Sequence, residues 1–394
     1  QVTIGKNHAK YFDKNNWLYF TKEVFDLLYP SYGDTYPVYN GAIGMTYEQG
    51  GGPAGGLAAQ TDDNDTLTLH DRAIHHYTTS LSTIEIASLN AGKLVKEFRN
   101  YFNEAVTAGI GEYKTYIIKN EPGNGERMQS FRKMLEKNNI QYGSASVSGR
   151  GYNYQTGKEE NFTATAGDVV VSALQPKSAL VKVLLEPASK LVDSVTYDIT
   201  AWSLPYAYGL KAYAVKEKIN PAAVDAPKIV NEAKEAYGYV IKWEGVSSAK
   251  AAGQLMQKGI LLRYAEQPFE TGGQKFGRGS IIVLKTSNKH AAANLWKTVA
   301  DVCNENNITA YPAASGFVDK GFDFGSDKIR PMKAPKVAMV TGEGIGSNAA
   351  GEIWHFFERQ LDYPLTLINA KDLARARWSD IDVLIMPDRN YRFL

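Results

Sequence analysis

The chain has 394 residues, of which 44 are Lys or Arg and 42 are Asp or Glu, so its formal net charge at pH 7 is +2. At roughly 150 residues per domain this length predicts about two or three domains, and a hydrophobic share of 44% excludes a mainly disordered chain. Because the charge is near zero, we expect neither nucleic acid nor an anionic membrane surface as a partner.

Cysteine usage and apolar runs exclude further classes of protein. The single cysteine, Cys303, allows no intrachain disulfide, thiolate zinc cluster or redox pair. No run of about 18 apolar residues is present, so no membrane span is expected. Residues 1–11 lack a charged stretch followed by an apolar core, so any signal peptide is absent or already removed, which indicates a processed or partial chain.

The first elements are a short helix, a tyrosine-rich loop and a short strand. Residues 21–28 (TKEVFDLL) predict an amphipathic helix that stops before Pro30. Residues 29–40 (YPSYGDTYPVYN) are rich in tyrosine and proline, which argues against regular helix. Residues 42–47 (AIGMTY) predict a strand that ends at Glu48, followed by glycine-rich residues 49–56.

The most periodic segment of the chain comes next. Apolar residues recur every three or four positions from Ile74 to Ala105 and predict one long helix that ends by Gly109. Thr68, with Asp71 three residues later, resembles a capping box at its start. We expect Gly92 to bend this helix.

Beyond Gly111 the pattern changes to strands and turns. A strand over residues 113–119, a helix over 127–137 and a strand from Ile140 predict a parallel strand pair. Residues 168–216 contain strand-like pieces, including ALVKVLL, and no long helix. A mixed β-rich module is therefore expected before a linker at residues 221–227.

The C-terminal part predicts βαβ units. From residue 237 the order is strand, helix, strand, strand, helix, strand, and a second unit opens at residues 336–341. Its strand is followed by the turn GEGIGS, a helix over 348–361 and further strands. Two or three parallel strands seldom form a stable domain by themselves, so we expect the chain to be truncated at Leu394.

Few side chains have a pattern that carries chemistry. Glu48 at a strand end beside a glycine loop suits a general base, although a solvated glutamate is the commoner interpretation from spacing alone. GEGIGS lacks both a P-loop lysine and an acid after the next strand, which favours a close-packed turn over a dinucleotide site. His70, His75 and His76 are too few for a metal site, and Cys303, inside a helix pattern, is expected in the core.

Three motifs within the first 110 residues carry a family resemblance: FTKEVFDLLYPSYGDTYP, GAIGMTYEQGGG and HDRAIHHYTTSLSTI. Residues 11–86 resemble the C-terminal part of the catalytic domain of a zinc carboxypeptidase, of the carboxypeptidase A-like family, in a bacterial subgroup. The resemblance implies that Glu48 is the general base and acid for a zinc-bound water. It also implies that the parent protein hydrolyses peptide or amide bonds.

The resemblance assigns substrate-binding positions as well. Gly33 and Asp34 match the stretch that helps to form the specificity pocket, and either Tyr29 or Tyr32 matches the tyrosine of the flexible loop. A small neutral residue such as Gly33 at the pocket floor would leave room without selecting a basic side chain. The implied substrate is a peptide or cell-wall peptide, and the implied location is secreted or periplasmic.

The zinc ligands of the family belong upstream of the matched portion, before Gln1. We therefore expect zinc in the full-length parent, none in this chain, and no hydrolysis by this chain alone. The upstream part of the same catalytic domain would be its partner. The alternative is a non-catalytic scaffold, a pseudo-peptidase that binds peptide or glycan.

Near the C-terminus, KVAMVTGEGIGSNAAGEIWHFFE and DVLIMP resemble the start of a class I glutamine amidotransferase-like domain whose nucleophile would lie past Leu394. The predicted fold is α/β. It comprises a partial carboxypeptidase-like domain with a long helix (residues 1–110), a mixed β-rich module (111–225), an α/β module of βαβ type (226–333) and a truncated amidotransferase-like domain (334–394).

Overall fold

The computed structural model describes residues 1–21, 28–50, 57–189, 203–224 and 228–388, and Tyr391. It combines helices with several sheets, which confirms the predicted α/β class. The chain forms two compact units: Gln1–Asn120 with Phe131–Val224, and Glu121–Ser130 with Asp225–Leu394. The finer four-part division stays a prediction, and the helix predicted over residues 21–28 lies almost wholly outside the described residues, as do residues 51–56 of the glycine-rich stretch.

The first unit opens with helices and one small hairpin. The elements are α1 (Val2–Asn15), α2 (Thr35–Tyr39), β1 (Ala58–Gln60), β2 (Thr66–Thr68), α3 (Leu69–Leu89) and α4 (Ala91–Thr107). The predicted capping box is present, because the Asp71 N–H donates to the Thr68 hydroxyl and the Thr68 N–H donates to the Asp71 carboxylate. The prediction of one continuous helix was wrong. The helix breaks at Asn90 (φ −111°, ψ 16°), whose side-chain amide donates to the Ile86 carbonyl.

Two other local predictions in this region were also wrong. Residues 29–40 contain helix α2. Pro37 is tolerated because it lies in the first turn, where a backbone N–H would have no acceptor within the helix, so the missing proline N–H costs no bond. Residues 42–50 form no strand. Their polar groups instead bond to the residue that precedes α1 and to α3: the Gln1 amide donates to the Gly44 carbonyl, and Tyr47 bonds to Thr83 of α3.

A seven-stranded antiparallel sheet follows in the order β6-β5-β8-β3-β7-β4-β9. The elements are β3 (Thr115–Ile118), α5 (Gly125–Lys137), β4 (Gly143–Ser144), β5 (Val147–Asn153), β6 (Lys158–Ala164), β7 (Val169–Ser172), α6 (Ser178–Leu185), α7 (Leu204–Ala207), β8 (Ala212–Val215) and β9 (Ala222–Ala223). The predicted parallel pairing of β3 and β4 was wrong. The two strands point in the same direction, but β7 lies between them and pairs antiparallel with both. ALVKVLL was predicted as a strand but belongs to helix α6. The prediction failed because a short apolar run that is buried on most sides shows neither the helical nor the strand period.

The second unit contains a five-stranded antiparallel sheet in the order β15-β10-β14-β11-β16. The elements are β10 (Gly238–Ile241), α8 (Val246–Gln257), β11 (Arg263–Ala265), β12 (Phe269–Thr271), β13 (Gln274–Phe276), β14 (Ile281–Leu284), α9 (Leu295–Glu305), β15 (Ala310–Ala313) and β16 (Ile329–Pro331). Alternate residues of β10 face two cores: Tyr239 packs with helices α8 and α9, and Val240 packs with the β12–β13 hairpin. Cys303 lies fully buried in the first core, as predicted, and burial raises the pKa of its thiol to about 12.

The two sheets share one connectivity that the sequence analysis did not predict. Each sheet contains two βαβ units, and one strand of the second unit lies between the two strands of the first. In the first sheet β7 lies between β3 and β4, which gives the order β8-β3-β7-β4; in the second sheet β14 lies between β10 and β11, which gives β15-β10-β14-β11. The helices that precede β4, β8, β11 and β15 are followed by the same two-residue pattern. A residue with positive φ comes first, and the next residue is buried and apolar, with its N–H donating to the carbonyl five residues earlier. The pairs are Asn139 with Ile140, Gly209 with Leu210, Gly259 with Ile260, and Asn307 with Ile308.

The second unit ends in the predicted parallel βαβ arrangement. The elements are β17 (Val337–Thr341), α10 (Ser347–His355), which continues as a π-helical turn (Phe356–Leu361), β18 (Leu365–Asn369) and β19 (Val383–Ile385). Their order is β18-β17-β19, and both neighbours run parallel to β17. None of the described helices combines the length and apolar character that a bilayer crossing needs.

Candidate functional site

Glu48 lies in the irregular segment 42–50, between two residues that are fixed to α3. The Tyr47 hydroxyl is 3.1 Å from Oγ1 of Thr83, and Oε1 of Gln49 is 2.9 Å from Nδ1 of His75. These contacts hold the backbone on both sides of Glu48. Its own side chain remains exposed to solvent, so the carboxylate is accessible to a substrate or a water.

Asp34 is joined to the same segment. Its carboxylate accepts a short hydrogen bond from the Thr46 hydroxyl and a second, of 3.2 Å, from the Thr35 hydroxyl. The backbones of Gly44 and Asp34 also lie close together, since a Cβ at Gly44 would lie 1.9 Å from the Asp34 carbonyl oxygen. The bond from Thr46 is the main cause that lowers the pKa of Asp34. The structure therefore brings an ionised Asp34 and the segment of Glu48 together.

Tyr29, Tyr32 and Gly33 belong to the turn that precedes Asp34. The Tyr29 and Tyr32 rings meet edge to face with centroids 5.2 Å apart, and Tyr32 is 37% exposed. No atom lies within 4 Å of the position that a Cβ would take at Gly33, so this glycine borders open space. The assignment of either tyrosine to a substrate loop, and of Gly33 to a pocket floor, stays a prediction.

A polar network between α1 and α3 supports this region and was not predicted. Oγ of Ser82 lies 2.9 Å from Nδ1 of His8 and accepts from the Asn7 amide at 2.8 Å. Asn7 and Tyr11 also donate to the Glu85 carboxylate, each at 2.8 Å. Burial lowers the pKa of His8, which favours its neutral form. Ser82 is only 1% exposed, so this serine–histidine pair stabilises helix packing and cannot meet a substrate.

His75 has a structural environment rather than that of a metal ligand. Its ring packs against Trp17 and Phe12, with centroids 4.4 and 5.5 Å apart, and burial lowers the pKa of its imidazole. Among the residues that the structure describes, no three His, Cys, Asp or Glu side chains are grouped as a metal ion requires. The described side chains thus do not supply the donor set for the zinc ion that the family resemblance implies.

The glycine turn after β17 is closely packed, as expected. Gly342 has φ +97°, and a Cβ there would lie 2.6 Å from the Asn369 side chain. The space beside the turn is therefore filled by the end of β18.

Comparison with protein-family models, with curated proteins and with solved structures finds no match for this chain. The likeness to zinc carboxypeptidases accordingly rests on the sequence motifs of residues 11–86.

Proposed function

We propose that this chain contributes a proton-transferring carboxylate, Glu48, and part of the substrate pocket to a peptide- or amide-hydrolysing site of the zinc carboxypeptidase type. The observation that carries the proposal is the junction between Asp34 and the 42–50 segment. Two stretches that the motifs assign to one site are also in contact through Thr46 and Gly44. Glu48 is exposed beside that junction.

The chemistry available to Glu48 follows from its surroundings. A carboxylate on a held backbone can take a proton from water and deliver it to a leaving amine. A zinc ion would make that water more acidic, but the described residues do not provide its ligands. From the resemblance of residues 11–86 to this family, we propose a longer, secreted or periplasmic parent in which an upstream part of the same domain holds zinc. This chain alone would not hydrolyse peptides.

The first test is the identity of the native polypeptide. Its intact mass and the peptides that precede Gln1 would be determined from the source organism. A polypeptide with an upstream HxxE motif and a later histidine supports the proposal. A native chain without those residues overturns it.

The second test addresses Glu48 in that native polypeptide. Glu48→Gln is expected to lower kcat by roughly 10²–10⁴-fold while the zinc content stays unchanged, because only proton transfer is removed. Glu104→Gln is the matched control, since Glu104 is an exposed glutamate on α4. Retained turnover in Glu48→Gln would exclude the proposed role.

A second candidate function is non-catalytic binding of cell-wall peptide or glycan, and one open, shallow cavity in the second unit favours it. It has a volume of about 480 Å³, is widely open to solvent and is lined by Trp243, Tyr264, Gly279, Pro331, Met332 and Lys333. The Trp243 ring lies against Gly279, where a Cβ would be 3.3 Å from the ring, and Trp243 is 46% exposed. Aromatic and apolar side chains with a few polar groups commonly line ligand-binding sites, and Trp243, Tyr264, Met332 and Lys333 are of these types.

Calorimetric titration with cell-wall peptides and glycan fragments tests this candidate. Trp243→Ala is expected to abolish the binding heat. Trp378→Ala is the control, because Trp378 has a similar exposure of 47% and does not line the cavity. Equal heats for both variants, or no heat with the unmodified chain, would reject the binding function.

A further inference from the structure

The cavity of the second unit has two aromatic walls at one edge of the five-stranded sheet. Trp243 follows β10 by two residues, and Tyr264 belongs to β11. Both strands pair antiparallel with β14 and therefore run in the same direction, so their C-terminal ends lie at the same edge of the sheet. The cavity presents one exposed ring and one half-buried ring, and it is called the Trp243 cavity below.

Gly279 supports the indole ring of this cavity. It lies two residues before β14 and has φ +83°, a left-handed conformation that favours glycine. A Cβ at Gly279 would lie 3.3 Å from Cγ and Cδ1 of Trp243, so the indole rests against the bare backbone of this turn. The exposed part of the ring provides an apolar surface on which a flat ligand can stack.

Positive charge is available beside these rings. Among the described residues that line the cavity, Lys333 is the only charged one, and it is exposed. Glu266, which directly follows β11, is paired with Arg330 of β16 at 2.6 Å. Glu244 directly follows the tryptophan but is directed towards α5, where its Oε2 would lie 3.3 Å from a Cβ at Gly125. The cavity therefore favours a ligand that carries negative charge.

The edge of the sheet favours a sugar over a peptide. An extended peptide would pair its backbone with an edge strand, and β16 is the edge strand beside the cavity. The Ile329 N–H already donates to the Ser326 carbonyl, and Pro331 has no N–H, so β16 is a poor template for an added strand. A pyranose ring needs no such pairing, because the C–H groups on one of its faces are apolar and stack on an aromatic ring.

We propose that the Trp243 cavity binds an acidic sugar, with the pyranose ring stacked on Trp243 and a carboxylate next to Lys333. A cavity that is widely open to solvent also leaves room for the chain of an oligosaccharide to continue beyond it. The proposal rests on the second candidate function, non-catalytic binding, and names the class of its ligand. It does not depend on the role of Glu48.

Calorimetric titration of the intact chain with trigalacturonic acid and with its methyl ester tests the charge preference. The two trisaccharides have the same rings, and only the acid is charged. The acid is expected to bind about 2–5-fold more tightly at low salt, which is the range that one exposed ion pair provides. Raising the salt concentration to about 0.5 M should remove this difference, because exposed charges are screened.

Substitutions separate the contribution of the ring from that of the charge. Trp243→Ala is expected to abolish binding of both trisaccharides. Lys333→Met should remove the preference for the acid, keep the binding of the ester and leave Tm unchanged, because Lys333 is exposed. Lys289→Met is the matched control, since Lys289 is an exposed lysine beyond the opposite end of β14 and does not line the cavity.

The outcomes distinguish this proposal from the binding function on which it rests. Equal affinities for the acid and the ester, or an unchanged preference in Lys333→Met, would overturn the acidic-sugar proposal. If neither trisaccharide binds but cell-wall peptides or neutral glycan fragments give heat that Trp243→Ala abolishes, the binding function stands and the acidic-sugar proposal fails. No heat with any of these ligands would overturn both.

Discussion

The close approach of Gly44 to Asp34 makes a quantitative prediction for Gly44→Ala. The new methyl carbon would begin 1.9 Å from the Asp34 carbonyl oxygen, whereas real Cβ contacts essentially never fall below 3.0 Å. The obstructing atom belongs to the backbone and cannot rotate away, so the two segments must separate by about 1 Å. Overpacking of this kind costs about 1–3 kcal/mol.

The separation would also weaken the bond from Thr46 to Asp34. Because Thr46 is exposed, this loss adds less than about 1 kcal/mol. The total corresponds to a decrease in Tm of roughly 3–10 °C for a domain of this size. The pKa of Asp34 should rise towards its ordinary value, since the bond from Thr46 is the main cause of its depression.

Gly33→Ala is the matched control, because no atom lies within 4 Å of its Cβ position. Thermal unfolding and amide hydrogen exchange of residues 44–50 would be compared for both variants. We expect a lower Tm and faster exchange only in Gly44→Ala. Equal melting and equal exchange would refute the contact between the Asp34 turn and the segment of Glu48, and with it the observation that carries the proposed function.

Three further predictions concern helix packing, pH and the glycine turn. Ser82→Ala should lower the free energy of unfolding by about 1–3 kcal/mol in denaturant titration, because partners of the buried hydroxyl lose a bond. Burial lowers the pKa of His8 and of His75. Above the unfolded pKa of about 6.5 both histidines are neutral in the folded and the unfolded chain, so the folded state keeps its full stability there. As the pH falls below about 6.5 and through the lower folded pKa values, protonation favours the unfolded chain and Tm should decrease. The decrease should be smaller in His8→Gln, which has one of these two groups fewer. Gly342→Ala should lower Tm because Gly342 has φ +97° and no room for a methyl group, whereas Gly351→Ala inside α10 should raise it slightly.

Local sequence signals led to correct predictions where the structure depends on neighbours in the chain. The capping box of Thr68 and Asp71 needs only residues three apart, so its pattern sufficed to place the start of α3. The packed turn at Gly342 was likewise predicted from the residues around it. At Asn90 the pattern was misleading, because apolar periodicity continues through the break between α3 and α4.

Strand neighbours could not be predicted, because they depend on residues far apart. The helix between β3 and β4 correctly indicated that the two strands point in the same direction. The insertion of β7 between them joins Gly143 to Val170 and has no local signature. The shared connectivity of the two sheets likewise depends on pairing between strands far apart in the chain, so it has no local signature either.

The candidate site was only partly predictable for the same reason. The motifs selected Glu48, Asp34 and their neighbours, but the expected strand at 42–47 is part of the irregular segment 42–50, which side chains of Tyr47 and Gln49 hold in place. Its contacts to Thr83 and His75 cross 36 and 26 residues of sequence. The buried network of Ser82 was not predictable, since the same residue types on a helix surface would usually face solvent.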